Sequence, residues 1–262
     1  MVFGRRTENR QGRAARPSRL CPAFRLTLVA ALGLLGASSI GAVGAVPATA
    51  VTIVTVRPSQ ELAVLFRPHE AFSRPSRRST PVYLVQARRP ITGERTVLPV
   101  LGHRTSSGGL HWLHVRLPGR PNGRTGWIRK RATVSATTRW HIVIDTSKRR
   151  ATVYKRARPL RVFRVIVGKP STPTPLGRFF VEESIQLRSG DVGAPYALAL
   201  SARSNVFQEF GGGSGQIAMH GLANVGGVLG SAASHGCVRL NSDAMRWLAG
   251  HVGPGVPVTI TR

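Results

Sequence analysis

Short runs of alternating β-branched residues, bounded by turn residues, recur along most of this 262-residue chain and favour a protein built from strands. In the front part, such runs lie at residues 51–56, 81–85, 96–101, 111–117 and 125–128. Short strands at this spacing are typical of a small barrel or sandwich. We therefore predict a small, basic β domain over residues 51–135. Residues 67–80, rich in Arg, Pro and Ser, are expected to form a mobile loop.

The rear part of the chain shows the same pattern together with one helix signal. Predicted strands lie at residues 140–145, 151–154, 160–167, 179–181, 196–200, 216–219 and 256–260. Asn241 is a suitable N-cap, and Ala244 and Leu248 follow at helical spacing before Gly250. The predicted fold class is therefore mostly β with one short helix. We also predict a short linker at residues 135–139 and a second domain over residues 139–262.

The N-terminal 50 residues have the pattern of an export segment. Residues 1–25 are rich in arginine, residues 26–46 are apolar, and Ala-Thr-Ala follows at residues 48–50. This order is typical of a cleaved signal, although an apolar run of about 20 residues is also long enough for a retained membrane anchor. Both alternatives predict an exported protein of the cell envelope, associated with the membrane only through this segment.

The chain has a formal net charge of +28, and arginine supplies most of it. A positive exported protein is suited to anionic partners such as a phosphate-rich cell wall. No nucleic-acid recognition motif is visible, and we expect no nucleic-acid partner. The front domain is expected to hold the protein at anionic wall polymers rather than to take part in chemistry.

Cys237 is the candidate nucleophile. The chain has two cysteines, and the other, Cys21, lies in the N-terminal segment. Cys237 stands in the run Ser-His-Gly-Cys-Val-Arg-Leu at residues 234–240, with His220 seventeen positions earlier. A single cysteine with a histidine elsewhere in the chain is a pattern of thiol catalysis.

The neighbouring residues could supply the other parts of a thiol acyl-transfer site. His220 is the expected base, and a backbone carbonyl made accessible by Gly221 could accept its second ring N–H. Gly236 would let backbone amides point at a developing oxyanion. His220, His235 and Cys237 could instead be metal ligands, but no Asp or Glu lies nearby as a base. We therefore predict no metal and no cofactor.

The run at residues 234–240, with the upstream His-Gly at 220–221, resembles the catalytic domain of L,D-transpeptidases (YkuD type). The resemblance extends to residues 142–145, to Val-Gly-Lys at 167–169 and to the Thr-Pro-Thr-Pro-Leu-Gly-Arg-Phe run at 172–179. It thereby covers residues 140–262 nearly end to end. Residues 112–127 resemble the last hairpin of a bacterial SH3-like domain, which implies a small SH3-like barrel in front.

The family resemblance implies a peptidoglycan L,D-transpeptidase that forms 3→3 cross-links between stem peptides through a cysteine thioester. It assigns Cys237 as nucleophile and His220 as base, with Ser234, His235 and Gly236 in the signature loop. Many members have Asn where this chain has Arg239, which could bind a substrate carboxylate or support the loop. Two alternatives are a hydrolase of the L,D-carboxypeptidase type, with water as acceptor, and a non-catalytic wall-binding protein.

Overall fold

The structure is a computed structural model that describes residues 54–209 and 213–262. The predicted export segment at residues 1–50 lies outside these residues. Within the described ranges, no helix is both long enough and apolar enough to cross a membrane. The predicted class is confirmed, because the described chain is mostly β with one short helix.

Seven strands near the start of the described chain form one antiparallel sheet, called the front sheet here. Its strands are β1 (Gln60–Leu65), β2 (His69–Phe72), β3 (Pro81–Val85), β4 (Val97–Thr105), β5 (His111–Arg116), β6 (Thr125–Arg129) and β7 (Thr133–Thr138). Their order across the sheet is β3-β2-β6-β5-β4-β1-β7. The likeness of this sheet to an SH3 barrel remains a prediction.

The remaining strands belong to an eight-stranded rear sheet and a two-stranded ribbon. They are β8 (Trp140–Asp145), β9 (Arg150–Lys155), β10 (Arg158–Arg164), β11 (Val167–Gly168), β12 (Gly177–Gln186), β13 (Tyr196–Arg203), β14 (Gln216–His220), β15 (Ala232–Ser234), β16 (Val238–Arg239) and β17 (Pro257–Thr261). The rear sheet runs β10-β9-β8-β17-β12-β13-β14-β16, and β11 pairs with β15.

The helix α1 (Ser242–Ala249) begins where the sequence indicated. The Asn241 side chain accepts a hydrogen bond of 2.8 Å from the Ala244 backbone N–H, which satisfies one of the free amides of the first turn. Met245 and Leu248 are fully buried against the rear sheet. The capping residue and the apolar spacing together therefore determine where this helix begins and which face it buries.

The two faces of the rear sheet have different partners, because neighbouring residues on a strand point to opposite sides. On β12, Phe179 and Val181 pack in the core that α1 covers, whereas Phe180 packs in the core of the front sheet. The front sheet therefore lies against the rear-sheet face opposite α1.

Buried ion pairs hold the two sheets together. Arg89, in the loop between β3 and β4, pairs with Glu182 on β12, and Arg203 on β13 pairs with the same carboxylate at 3.0 Å. Glu183 accepts a hydrogen bond of 2.9 Å from the Thr92 backbone N–H. Buried carboxylates without such partners would be costly. These contacts therefore join the front sheet to the rear sheet across a buried interface.

Three local predictions differ from the structure. Residues 54–56, expected in a strand, are not in one, and the first strand starts at Gln60. The expected loop at 67–80 contains β2, because Ala71 packs in the front core and Phe72 is also buried. Residues 135–138 are not a linker but part of β7, which pairs with β1.

Candidate active site

Two parallel strands place the candidate nucleophile and base on one face of the rear sheet. In the pairing of β14 with β16, Met219 is opposite Val238 and His220 is opposite Arg239. Met219 and Val238 are fully buried, so His220 and Arg239 point to the other face. Cys237 shares the face of Arg239 and receives a hydrogen bond from the Ala218 backbone. This face is the one on which the front sheet lies.

A backbone carbonyl holds the ring of His220. The His220 Nδ1 lies 2.8 Å from the Gly221 carbonyl oxygen. A carbonyl only accepts hydrogen bonds, so Nδ1 carries the proton and Nε2 of the neutral ring keeps its lone pair. The sequence led us to expect this contact. The contact leaves His220 in the tautomer whose Nε2 atom can take a proton.

Burial keeps both reactive groups neutral at rest. It lowers the pKa of His220, and Arg239 lowers it further, while the hydrogen bond to Gly221 acts in the opposite direction. Burial raises the pKa of the Cys237 thiol, while the hydrogen bond from Ala218 and the charge of Arg239 lower it. A neutral imidazole and a neutral thiol on the same face of the sheet are the two groups that general-base activation of a nucleophile requires.

Ser234 closes the loop that presents Cys237. Its buried hydroxyl accepts a hydrogen bond of 3.1 Å from the Gly236 backbone N–H and donates one to the Cys237 carbonyl. The Gly236 N–H is thereby occupied, so it is not available to donate to an oxyanion. Gly236 has a φ of +119°, which favours glycine, and a Cβ there would lie 3.0 Å from Ile217.

Two buried threonines donate side-chain hydrogen bonds to backbone carbonyls of this loop. Thr172 Oγ1 donates to the Ser234 carbonyl at 3.2 Å, and Thr174 Oγ1 donates to the Gly236 carbonyl at 2.9 Å. The Gly168 N–H donates in turn to Thr174 Oγ1 at 2.9 Å. No role for these threonines was predicted from the sequence. The Thr-Pro-Thr-Pro run was the available signal, but it did not show which loop they would contact.

Gly193 packs closely against the imidazole ring of His220. Gly193 has a φ of +85°, and a Cβ built on it would lie 2.5 Å from His220 Nδ1. The Gly221 N–H donates to the Gly193 carbonyl at 2.7 Å, and a Cβ on Gly221 would lie 2.0 Å from the Ala194 carbonyl oxygen. Both positions therefore require glycine. Gly193 could not be predicted from the local sequence pattern, because it lies 27 positions before His220.

Arg239 lies inside the candidate site, whereas His235 lies at its exposed rim. Arg239 lies beside His220, and its Nη1 donates to the Gly226 carbonyl at 3.4 Å. Among the described residues, nothing bonds its buried Nε. His235 is exposed, and its ring centroid lies 6.0 Å from that of Phe207. The structure therefore brings Cys237, His220 and Arg239 together and leaves His235 at the rim.

Metal ligation has no support in the described ranges. No group of three or more His, Cys, Asp and Glu side chains there could hold a metal ion. The local geometry is instead that of a thiol, a base with a fixed tautomer and an adjacent cation. It is suited to acyl transfer through sulfur.

Comparison with known proteins identifies the rear part of the chain. The family profile of the L,D-transpeptidase catalytic domain (YkuD) matches residues 139–260. The YkuD protein of Bacillus subtilis, provisionally named an L,D-transpeptidase, is 31% identical over 126 residues, which are 48% of this chain and 68% of that protein. Its counterpart in Bacillus licheniformis is 31% identical over 125 residues, covering 48% and 67%.

The solved structures that match parts of this chain include several L,D-transpeptidases, of which two are given as examples. A cysteine-to-serine mutant from Enterococcus faecium matches with a TM-score of 0.34 and 24% identity, over 47% of this chain and 49% of that chain. L,D-transpeptidase 3 from Mycobacterium tuberculosis, in complex with a faropenem-derived adduct, matches with a TM-score of 0.42 and 15% identity, over 76% and 97%. The present chain thus spans about half of the enterococcal chain.

Proposed function

Because this chain belongs to the YkuD family of L,D-transpeptidases, we propose that it cross-links peptidoglycan stem peptides through a thioester on Cys237. The observation that carries this proposal is the tautomer of His220. Its Nδ1 proton is held by the Gly221 carbonyl 2.8 Å away, so Nε2 is free to act as a base on the face that Cys237 shares.

In the acylation step, His220 Nε2 takes the proton of the Cys237 thiol as sulfur attacks a carbonyl carbon. The attacked carbonyl joins the third residue of a stem peptide to its terminal D-Ala. The Cys237 N–H has no partner among the described residues and can donate to the oxyanion. The C–N bond then breaks, D-Ala leaves with the proton from His220, and a thioester remains.

In the second step, an amine acceptor resolves the thioester. The side-chain amine on the third residue of another stem peptide gives a proton to His220 and attacks the thioester carbon. The C–S bond breaks, and the thiolate recovers the proton from His220. The product is a 3→3 cross-link, and both residues return to their neutral forms.

We propose that the charge of Arg239 stabilises the Cys237 thiolate and that its guanidinium binds a carboxylate of the substrate. Its guanidinium lowers the pKa of the Cys237 thiol and lies beside His220, so it favours the thiolate during attack. Arginine binds carboxylates through paired N–H groups, and its buried Nε has no partner among the described residues. A terminal carboxylate of the stem peptide would be a suitable ligand. Ser234, Gly236 and Gly221 support the geometry without reacting.

We also propose roles for the front domain and for the export segment. We expect an exported envelope protein whose SH3-like front domain is attracted to anionic wall polymers through its arginines. Such attraction weakens as salt shortens the Debye length to about 8 Å at physiological ionic strength. Peptidoglycan stem peptides are the expected substrates.

The test is incubation of the full chain with a purified stem tetrapeptide that ends in D-Ala, followed by mass spectrometry. A cross-linked dimer that has lost one D-Ala is expected. Cys237→Ala should give no product, and Cys21→Ala should react like the wild type, since it removes the other cysteine of the chain. Shortened tripeptide without dimer would identify the hydrolase instead. No product, with full binding to cell walls, would identify a wall-binding protein.

A further inference from the structure

A cavity of about 490 Å³ lies between the two sheets, away from Cys237. The rear-sheet strands β8, β12 and β17 form one wall, and residues of β1, β4 and β5 with the segment at 54–57 form the other. It shares no lining residue with the Cys237 and His220 site. A volume of this size, at an interface between two packed units, is typical of small-ligand sites.

The charged groups that line this cavity are all positive. Arg57, Arg116 and Arg178 contribute to the lining, and no Asp or Glu among the described residues does. Burial lowers the pKa of Arg116, and the charge of Arg178 lowers it further. The same two causes lower the pKa of His141 to about 4. Arg178 is therefore close enough to act electrostatically on two other basic groups.

These arginines lack the partners that other arginines of the same interface have. Arg89 and Arg203 both pair with Glu182. By contrast, neither the Arg57 nor the Arg178 guanidinium has a hydrogen bond or ion pair with any described residue. The Arg116 guanidinium has only a bond of 3.4 Å to the Gly123 carbonyl.

Cations that face one another in a partly dry site repel, and a bound anion removes that repulsion. The guanidinium fork matches phosphate oxygens. A phosphate group carries about −1.5 to −2 charges at neutral pH, which suits several arginines better than one carboxylate does. We propose that this cavity binds a phosphate ester, with the phosphate held by Arg57, Arg116 and Arg178.

The rest of the lining explains why the ligand is an ester rather than free phosphate. Leu101, Trp140 and Phe179 line the same cavity, together with proline and isoleucine side chains. A water molecule takes about 30 Å³, so the cavity has room for a body attached to the anion. Outside a cell, both the polyol phosphates of wall polymers and lipid headgroups have this chemistry.

The proposal can be tested by thermal unfolding of the full chain with increasing inorganic phosphate, glycerol 1-phosphate or phenyl phosphate. A ligand that binds the folded state raises the unfolding temperature with concentration. We expect saturable stabilisation by at least one ester, with an affinity about tenfold or more above that of inorganic phosphate, because the body adds apolar burial. A preference for glycerol 1-phosphate would assign a polyol source, and a preference for phenyl phosphate a lipid-like one.

Arg178→Gln and Arg57→Gln, both at exposed residues, should weaken ester binding about tenfold, the usual effect of losing one charge-assisted contact. Arg158→Gln removes the same charge at the exposed start of β10 and should bind like the wild type. The proposal would be overturned by equal stabilisation with sodium chloride of matched ionic strength, by equal affinity for all three phosphates, or by unchanged binding in both cavity variants. Thermal unfolding does not depend on catalysis. A negative result would therefore overturn the phosphate-ester site without affecting the transpeptidase proposal.

Discussion

Arg120, in the loop between the front-sheet strands β5 and β6, bonds the backbone of Phe207, which lies beside the candidate active site. The Arg120 Nη2 donates to the Phe207 carbonyl at 2.6 Å and to the Ser204 carbonyl at 2.9 Å, and Nη1 donates to the Ser214 carbonyl at 2.8 Å. The Phe207 ring centroid lies 6.0 Å from that of His235, two residues before the candidate nucleophile Cys237. One guanidinium therefore bonds both ends of the segment at residues 204–214.

We predict that Arg120→Ala lowers kcat/KM for stem peptides about tenfold, because a charge-assisted hydrogen bond contributes about 1.5–3 kcal/mol. Arg120 acts as a positioning residue, so thiol alkylation by iodoacetamide should keep its wild-type pH profile. Arg104→Ala, at an exposed residue of the front sheet, is the matched control. Wild-type kcat/KM in the Arg120 variant would show that this segment needs no support from the front domain.

The two histidines near Cys237 should differ in their effects. His220→Ala is expected to lower turnover by about two to four orders of magnitude, the usual contribution of a general base. His235→Ala should cost less, since His235 is exposed at the rim of the site. Steady-state kinetics of both variants measure the difference. The reverse ranking would mean that their assigned roles are exchanged.

The charge of Arg239 should be visible in the pH dependence of thiol reactivity. Burial raises the pKa of Cys237, and Arg239 opposes that rise by stabilising the thiolate. Arg239→Gln should therefore raise the thiol pKa further, so that alkylation by iodoacetamide is slower at neutral pH and its midpoint moves to higher pH. Stopped-flow alkylation between pH 6 and 10 would measure this. A midpoint that stays in place or moves down would rule out the electrostatic role.

The same substitution should act in the same direction on His220. Arg239 lowers the pKa of that imidazole, although burial is the larger cause. Without the positive charge the imidazole pKa should rise toward its ordinary value. NMR titration of the ring resonances should show that shift, and Arg239→Lys, which keeps the charge, should show little of it.

The buried ion pairs between the sheets change what we expect of a shortened chain. From sequence alone, residues 136–262 would be expected to keep activity on small stem peptides without the front domain. In the structure, Phe180 is 1% exposed within the front core, and Glu182 pairs with Arg89. Removing the front sheet would expose the Phe180 ring, at a cost of about 1.5–3 kcal/mol, and would also remove Arg120. We therefore expect the shortened chain to unfold at lower temperature and to lose activity.

A point substitution tests the same interface in the full chain. Arg89→Ala leaves Glu182 and Glu183 with one fewer cation, and loss of one partner of a buried pair typically costs about 3–5 kcal/mol. Arg88→Ala, at the exposed neighbouring residue, should be nearly neutral. Urea unfolding of both variants measures the difference. Equal midpoints would show that the pair does not hold the sheets together.

Local pattern predicted the elements that are regular over their whole length. The predicted strand at residues 140–145 coincides with β8, and the N-cap at Asn241 coincides with the start of α1. Both signals come from neighbouring residues, alternation in one case and a capping side chain in the other. The strand at Gln60–Leu65 was missed, because it begins with polar residues whose burial depends on pairing with β4 and β7.

The sequence by itself indicated the chemistry that we propose for this protein, since the candidate nucleophile, the candidate base and the loop glycine lie in two short segments of distinctive composition. Tertiary structure alone decided what supports them. Gly193 meets His220, Thr174 holds Gly236, and Arg120 holds Phe207 across long stretches of chain. Strand order and register determine such contacts, and the periodicity of a single segment does not encode which distant segment will pair with it. The cavity of unpaired arginines has the same origin, because its walls come from two sheets that meet only in the folded protein.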